Sequence, residues 1–285
     1  MYLDHFGLAE YPFSITPDAD FVYRAQQHQA AMNVVLLALA TNEGFVKVTG
    51  EVGTGKTLMC RHLLASLPGD VVSAYVLNPR LSPIALLRVV GEELGLKMPE
   101  GADEHALCQT IESELMQLAA EGRRAVLCID EAQALPMESL EALRLLSNLE
   151  TGKRKLVQIV LFAQPELDDM LQARRIRSLA SRIAFSAHLR GLDRADFNHY
   201  LRHRLGVAGW RGGEVFGPLA TWWLHRESGG VPRLANILAH KALMLAYGRG
   251  VHRVGLRTAW LASRDERLYR PGRGRPQDTW QGARP

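Results

Sequence analysis

The eight residues Gly50-Glu51-Val52-Gly53-Thr54-Gly55-Lys56-Thr57 fit the spacing GxxxxGK[ST], with a β-type run at 45–49 before them and a helical run at 58–67 after. A strand, a glycine-rich turn and a helix in that order belong in a mostly parallel α/β sheet, whose strand carboxyl ends carry the ligand site. The glycines let successive N–H groups face one point, and the helix that follows adds its positive end, so the loop suits phosphate oxygens. On this reading all eight residues bind a nucleotide. Lys56 neutralises the β and γ phosphates, and Thr57 offers a hydroxyl to Mg²⁺, an ion that prefers oxygen ligands and keeps several waters.

The surrounding pattern agrees with such a sheet. Short apolar runs at 45–49, 71–77, 125–129, 156–163 and 184–189 read as five strands, with amphipathic runs such as 104–120 as crossovers. This predicts a three-layer αβα P-loop domain over residues 1–190. Within it, Pro12 and Pro17 break a loop and 28–40 reads as an apolar helix, so that 1–42 folds over the nucleotide. After Gly191 the β-branched runs stop. Helical patterns at 194–205, 214–227, 232–247 and 256–263 predict a small all-helical domain over 191–263, and 264–285 reads as a flexible basic tail.

A second piece of chemistry stands at the end of the third strand, where the apolar run 125–129 leads into Asp130 and Glu131. Two adjacent acids at a sheet edge are costly without a cation. Asp130 is expected to hold the Mg²⁺ shell through water and Glu131 to orient and polarise an attacking water. Acids also favour the first turn of a helix, which is the structural alternative.

Charge and composition narrow the class. Six arginines against three acids from Arg264 to Pro285 carry +3 of the net +4, so the rest of the chain is nearly neutral. No apolar run approaches the length of a membrane span, and the first residues lack the layout of a secretory signal. The expected location is the cytoplasm, including the cytoplasmic face of the inner membrane. Cys60, Cys108 and Cys128 stand apart with no CxxC pairing, which points to reduced thiols rather than zinc or disulfides.

The phosphate loop, the Asp130-Glu131 pair and a helical second domain together resemble the AAA+ superfamily. Finer features are similar to the secretion ATPase family typified by ExeA and GspA: Tyr2-Leu3-Asp4-His5-Phe6-Gly7-Leu8, Pro12-Phe13, Thr16-Pro17-Asp18, 44–57, Ile129-Asp130-Glu131-Ala132-Gln133 and Ala163-Gln164-Pro165-Glu166-Leu167. The likeness runs to about Ala262. Longer members continue into a transmembrane helix and a periplasmic peptidoglycan-binding module. The pattern here resembles the short form associated with biogenesis of the MSHA type IV pilus.

That resemblance implies further roles. Gln164, at the end of the fourth strand, stands where a polar sensor meets the γ-phosphate or the lytic water, with Gln in place of the commoner Asn. Asn78 occupies the position that in some AAA+ proteins restrains the catalytic Glu, and an Asn before Pro79 is equally a turn former. Ser181-Arg182 resembles the motif that projects an arginine into a neighbouring subunit's site in a ring or other oligomer, with Arg177 as second choice. Arg174, Arg175, Arg177 and Arg182 also read together as a solvated basic face. Arg233, in the first turn of a helix where a cation opposes the dipole, suits a lid residue that reaches the γ-phosphate. Tyr23 and His28 are candidates for the adenine pocket.

The implied function is an ATPase that takes ATP and water to ADP and phosphate and acts on pilus or secretion proteins of the inner membrane. Two other classes fit parts of the sequence. A DNA-handling AAA+ protein of the transposition or initiator type would use Lys153-Arg154-Lys155 and the tail, although both are more often solvated, and an ATP-stabilised scaffold would turn over little.

Overall fold

The computed structural model describes residues 2–16, 21, 23, 25–151, 154–173 and 176–264. Helices α1 (Tyr2–Phe6) and α2 (Gln26–Ala40) precede β1 (Phe45–Gly50), α3 (Lys56–Ser66), β2 (Val71–Val76), α4 (Pro83–Glu93), α5 (Glu104–Ala120) and β3 (Arg124–Ile129). A 3₁₀ turn at Ala132–Ala134 leads to α6 (Met137–Leu146), the two-residue strands β4 (Glu150–Thr151) and β5 (Arg154–Lys155), and β6 (Val157–Ala163). Then come α7 (Glu166–Leu171), α8 (Arg177–Ala180) and β7 (Ile183–Leu189), followed by α9 (Arg194–Val207), α10 (Pro218–Ser228), α11 (Pro232–Gly248) and α12 (Leu256–Arg264).

The five long strands form one sheet in the order β2-β3-β6-β1-β7, and every pairing is parallel. The period of two along each strand divides the apolar side chains between the faces. Ala125, Leu127 and Ile129 of β3 pack with Leu86, Leu87, Leu107, Ile111 and Leu140 from α4, α5 and α6. Val126 and Cys128 point the other way, to Val35, Met59 and Leu63 of α2 and α3. Burial on both faces explains why the interior strands β3 and β6 read as nearly continuous apolar runs. The three-layer αβα P-loop fold expected from the sequence is the observed one. Side chains close two of the crossover helices at their starts. Ser82 Oγ accepts from the Ala85 N–H (3.4 Å) and Asp103 Oδ1 from the Ala106 N–H (2.8 Å).

A second core joins α9 to α12. Here the structure departs from the expectation that residues 1–42 lie with the sheet. Tyr2, Phe6, Leu8, Phe13, Phe21 and Ala25 are buried among Phe197, Tyr200, Leu205, Leu238 and Leu243, and only α2 packs on the sheet. The reason is local. A five-residue helix cannot hold itself together, and α1 gains its stability from the apolar face of α11, where the Tyr2 hydroxyl and His240 Nδ1 share a hydrogen bond of 2.9 Å. Helix α10 starts at Pro218 rather than at 214, because Phe216 bridges to Val254 and Gly217 is the cap before Pro218. Cys60 and Cys128 are buried, Cys108 is half-buried, and all three are free thiols. Among the described residues no helix is long and apolar enough to cross a membrane. The basic tail lies outside the described residues beyond Arg264.

Candidate functional site

The loop between β1 and α3 turns through two left-handed glycines, Gly53 (φ 85°) and Gly55 (φ 102°), which brings the first turn of α3 under the loop. Thr54 is fully buried, and its hydroxyl donates to the Glu51 carbonyl at 2.8 Å. Lys56 lies across the mouth of its own loop, donating to the carbonyls of Gly50 (2.7 Å) and Glu51 (3.0 Å). Burial lowers its pKa from the usual lysine value, against the opposing pull of Glu131, Asp130, Glu51 and Glu166. Lys56, Thr57, Glu131 and Arg233 line one cavity of about 700 Å³.

The acid pair follows β3. Asp130 is 1% exposed, and its backbone N–H donates to the Val76 carbonyl. Its Oδ1 accepts from the Glu131 N–H at 2.9 Å, whereas Oδ2 is buried with no hydrogen-bond partner. An unpaired carboxylate oxygen in the interior is costly. A hard divalent cation with bound water would relieve that cost, so Asp130 and Thr57 together fit a Mg²⁺ site shared with phosphate. The helix-capping alternative for these acids fails, since Glu131 precedes the 3₁₀ turn and makes no side-chain cap bond.

Glu131 stands at φ 52°, ψ 39°, a left-handed conformation that is uncommon outside glycine. Its Oε2 accepts from two amides, Gln133 Nε2 at 2.6 Å and Gln164 Nε2 at 2.9 Å. Gln164 therefore sits beside the acid. Asn78 is exposed beyond the end of β2 and is not one of the two donors to Oε2. Sequence reasoning had quoted Gln133 without giving it a task.

A match to a family model described as an AAA domain covers residues 39–171. General secretion pathway protein A of Aeromonas hydrophila is 42% identical over 281 residues, which is 99% of this chain and 50% of that protein. The chain carries an AAA domain and is similar over nearly its whole length to general secretion pathway protein A. It spans half the length of that relative. Solved structures with the same fold include the ADP form of Aeropyrum pernix ORC2 (TM-score 0.60, 18% identity, 88% of this chain and 71% of that one). Drosophila ORC bound to DNA gives a TM-score of 0.68 at 18% identity, over 92% and 66% of the two chains. Cdc6p from Pyrobaculum aerophilum gives 0.67 at 15% identity, over 89% and 70%.

In this AAA+ chain the helical cluster reaches the phosphate loop through the start of α11. The Arg233 N–H approaches the Gly53 carbonyl at 3.4 Å, and a Cβ on Gly53 would stand 2.5 Å from Arg233 Cβ. The approach depends on Gly229 (φ 59°) and Gly230 (φ 74°), the latter lying so close to Leu192 that a Cβ would meet its carbonyl at 2.1 Å. Arg182 stands apart from the cavity. Its Nη1 donates to Ser147 Oγ at 3.2 Å, with Glu141 and Glu150 near enough to feel its charge. Arg177 is exposed at the start of α8, and Arg174 and Arg175 lie outside the described residues.

Tyr23 and His28 both line the cavity. The Tyr23 phenol donates to Asp196 Oδ1 (3.0 Å), and its pKa is pushed up to about 12 by burial and by that bond. His28 Nε2 meets the Thr54 carbonyl at 2.7 Å, which makes it the donor and ties α2 to the phosphate loop. One wall of the cavity was not legible in the sequence. Arg204, 7% exposed, donates to the carbonyls of Pro12 (2.6 Å) and Ser14 (3.1 Å) and covers the Phe21 ring at 4.5 Å. Asn236 adds a bond to Ser14 (3.2 Å) and accepts from Tyr200 (2.6 Å).

Proposed function

We propose that the chain binds ATP with Mg²⁺ in this cavity and hydrolyses it between neighbouring copies. Nucleotide state would then be coupled to assembly of a type II secretion apparatus or an MSHA-like type IV pilus. The observation that carries the reading is the convergence of Lys56, Thr57, Glu131 and Arg233 on one cavity beside the unpaired oxygen of Asp130. Lys56 exchanges its hold on the Gly50 and Glu51 carbonyls for β and γ phosphate oxygens. When bound, Mg²⁺ spreads the charge on those oxygens, held by the Thr57 hydroxyl and through water by Asp130. Glu131 orients the water that attacks the γ-phosphorus and accepts its proton, and Gln164 steadies water or phosphate. Residues 191–263 act as a lid that senses the γ-phosphate through Arg233.

Arg182, remote from its own cavity, is assigned to the neighbour's site in a ring or other oligomer, with Arg177 as the alternative. An arginine supplied in this way is worth about 10³ to 10⁵ in rate. The secretion assignment follows the likeness to the Aeromonas relative, and the pilus assignment follows the sequence resemblance. On either assignment the chain would act at the cytoplasmic face of the inner membrane. A DNA-handling role draws on residues 153–155 and the tail. Lys155 is already paired with Glu150, while Lys153 and residues 265–285 lie outside the described residues.

The test compares phosphate release by wild type, Glu131→Gln and Arg182→Ala, with nucleotide affinity of Lys56→Ala in a calorimeter. Loss of release in the first two variants and loss of binding in the third are expected. Equal release by all three release proteins would support an ATP-stabilised scaffold instead.

A further inference from the structure

We propose that Gln133 is a positioning residue that fixes the carboxylate of Glu131, an inference that rests on the catalytic reading of Glu131 given above. Ala132 alone separates the two residues, and the 3₁₀ turn Ala132–Ala134 folds one side chain back onto the other. Gln133 Nε2 donates to Glu131 Oε2 at 2.6 Å while Gln133 Oε1 accepts from the backbone N–H of Gln164 at 2.9 Å. These two partners settle which way the amide faces, because a carboxylate needs a donor and a backbone N–H needs an acceptor. Gln164 directly follows β6, an interior strand hydrogen-bonded on both sides, so that N–H is a fixed point. Gln133 thus carries the rigidity of the sheet to the carboxylate.

Gln164 reaches the same oxygen with its side chain, at 2.9 Å. The two glutamines differ in one respect. The Gln164 amide is free to swing towards a phosphate once a nucleotide is present, whereas Gln133 is tethered at its other end to backbone. Both bonds land on Oε2, so the remaining oxygen, Oε1, is the one aimed at water. The left-handed backbone at Glu131 gives the second reason for a tether, since a strained residue keeps its geometry only where its surroundings impose it. A side chain that donates and accepts at once is required at position 133. Methionine fills a similar volume and does neither, and glutamate can only accept while adding a second negative charge beside Glu131.

The test uses the full chain as wild type, Gln133→Met, Glu131→Gln and the double variant. Binding of a non-hydrolysable ATP analogue is read by calorimetry, hydrolysis by single-turnover phosphate release, and folding by thermal melting. Gln133→Met is expected to lower the rate about 10- to 100-fold, the effect of loosening a reacting group, with Kd changed by less than about two-fold. In the Glu131→Gln background the same substitution is expected to cost nothing more, because Gln133 acts only through that carboxylate. A wild-type rate for Gln133→Met, a change confined to Kd, or an equal loss in both backgrounds would overturn the inference. Should Gln133→Met not fold, Gln133→Glu retains the bond to the Gln164 N–H, and a wild-type rate in that variant is equally fatal. A wild type that does not hydrolyse, or a Glu131→Gln protein that hydrolyses as fast, overturns the catalytic reading and this inference with it.

Discussion

Gly53 holds φ 85° with Arg233 Cβ only 2.5 Å from where a Cβ of its own would stand. Gly53→Ala therefore meets two costs at once, a left-handed backbone and a collision with the first turn of α11. We expect a loss of about 1 to 3 kcal/mol in chemical denaturation, together with weaker nucleotide binding in a calorimeter. Undiminished stability would mean that the contact between loop and α11 opens freely in solution. Asp130 supplies a second prediction. Its unpaired Oδ2 is assigned to the metal shell, so Asp130→Asn should bind ATP with equal affinity in magnesium and in EDTA, whereas wild type binds more tightly in magnesium. Persistence of the magnesium effect in the variant would remove Asp130 from that role. Lys56, Asp130 and Glu131 were legible because their chemistry is written in local spacing. Gln133 and Arg204 were not, since the Gln164 N–H and the Pro12 and Ser14 carbonyls that define them lie far away along the chain.

Among the elements, the interior strands β1, β3 and β6 were readable because burial on both faces favours apolar runs. The edge strands β2 and β7, partly exposed, were readable because they still carry enough apolar residues. Helix α1 was not, because its seat on α11 leaves no periodic trace in five residues. That seat has a pH dependence. Burial lowers the His240 pKa, so the folded chain favours the neutral ring where it meets the Tyr2 hydroxyl. On acidification the unfolded chain takes up the proton first, near the ordinary histidine value of about 6.5. The contribution is therefore whole above that pH and is lost as the pH falls from there towards the lowered folded value. Melting wild type and His240→Gln at pH 7.5 and 5.5 should show a smaller acid-induced drop in the variant. Equal drops would place the titration elsewhere, for example at His188, which burial and Arg190 also lower.

At the scale of the whole molecule, the placement of Arg182 outside the cavity makes a prediction about mixtures. Glu131→Gln and Arg182→Ala should each be inactive alone, yet mixing them should restore part of the rate. A Glu131→Gln subunit still lends Arg182 to a neighbour whose Glu131 is intact. An inactive mixture of subunits shown to exchange would refute the trans assignment. A different consequence follows from the way the chain divides its apolar residues between the two cores. The backbone passes from one core to the other at two places, between Ala25 and Ala31 and again between Leu189 and Leu192. The two crossings touch, the Gln27 side-chain amide donating to the Arg190 carbonyl at 2.9 Å, so they form one two-stranded strap. The strap runs beside the start of α11, where the Leu192 N–H donates to the Gly230 carbonyl at 2.8 Å, so a swing of the helical body would be felt first where Arg233 meets Gly53.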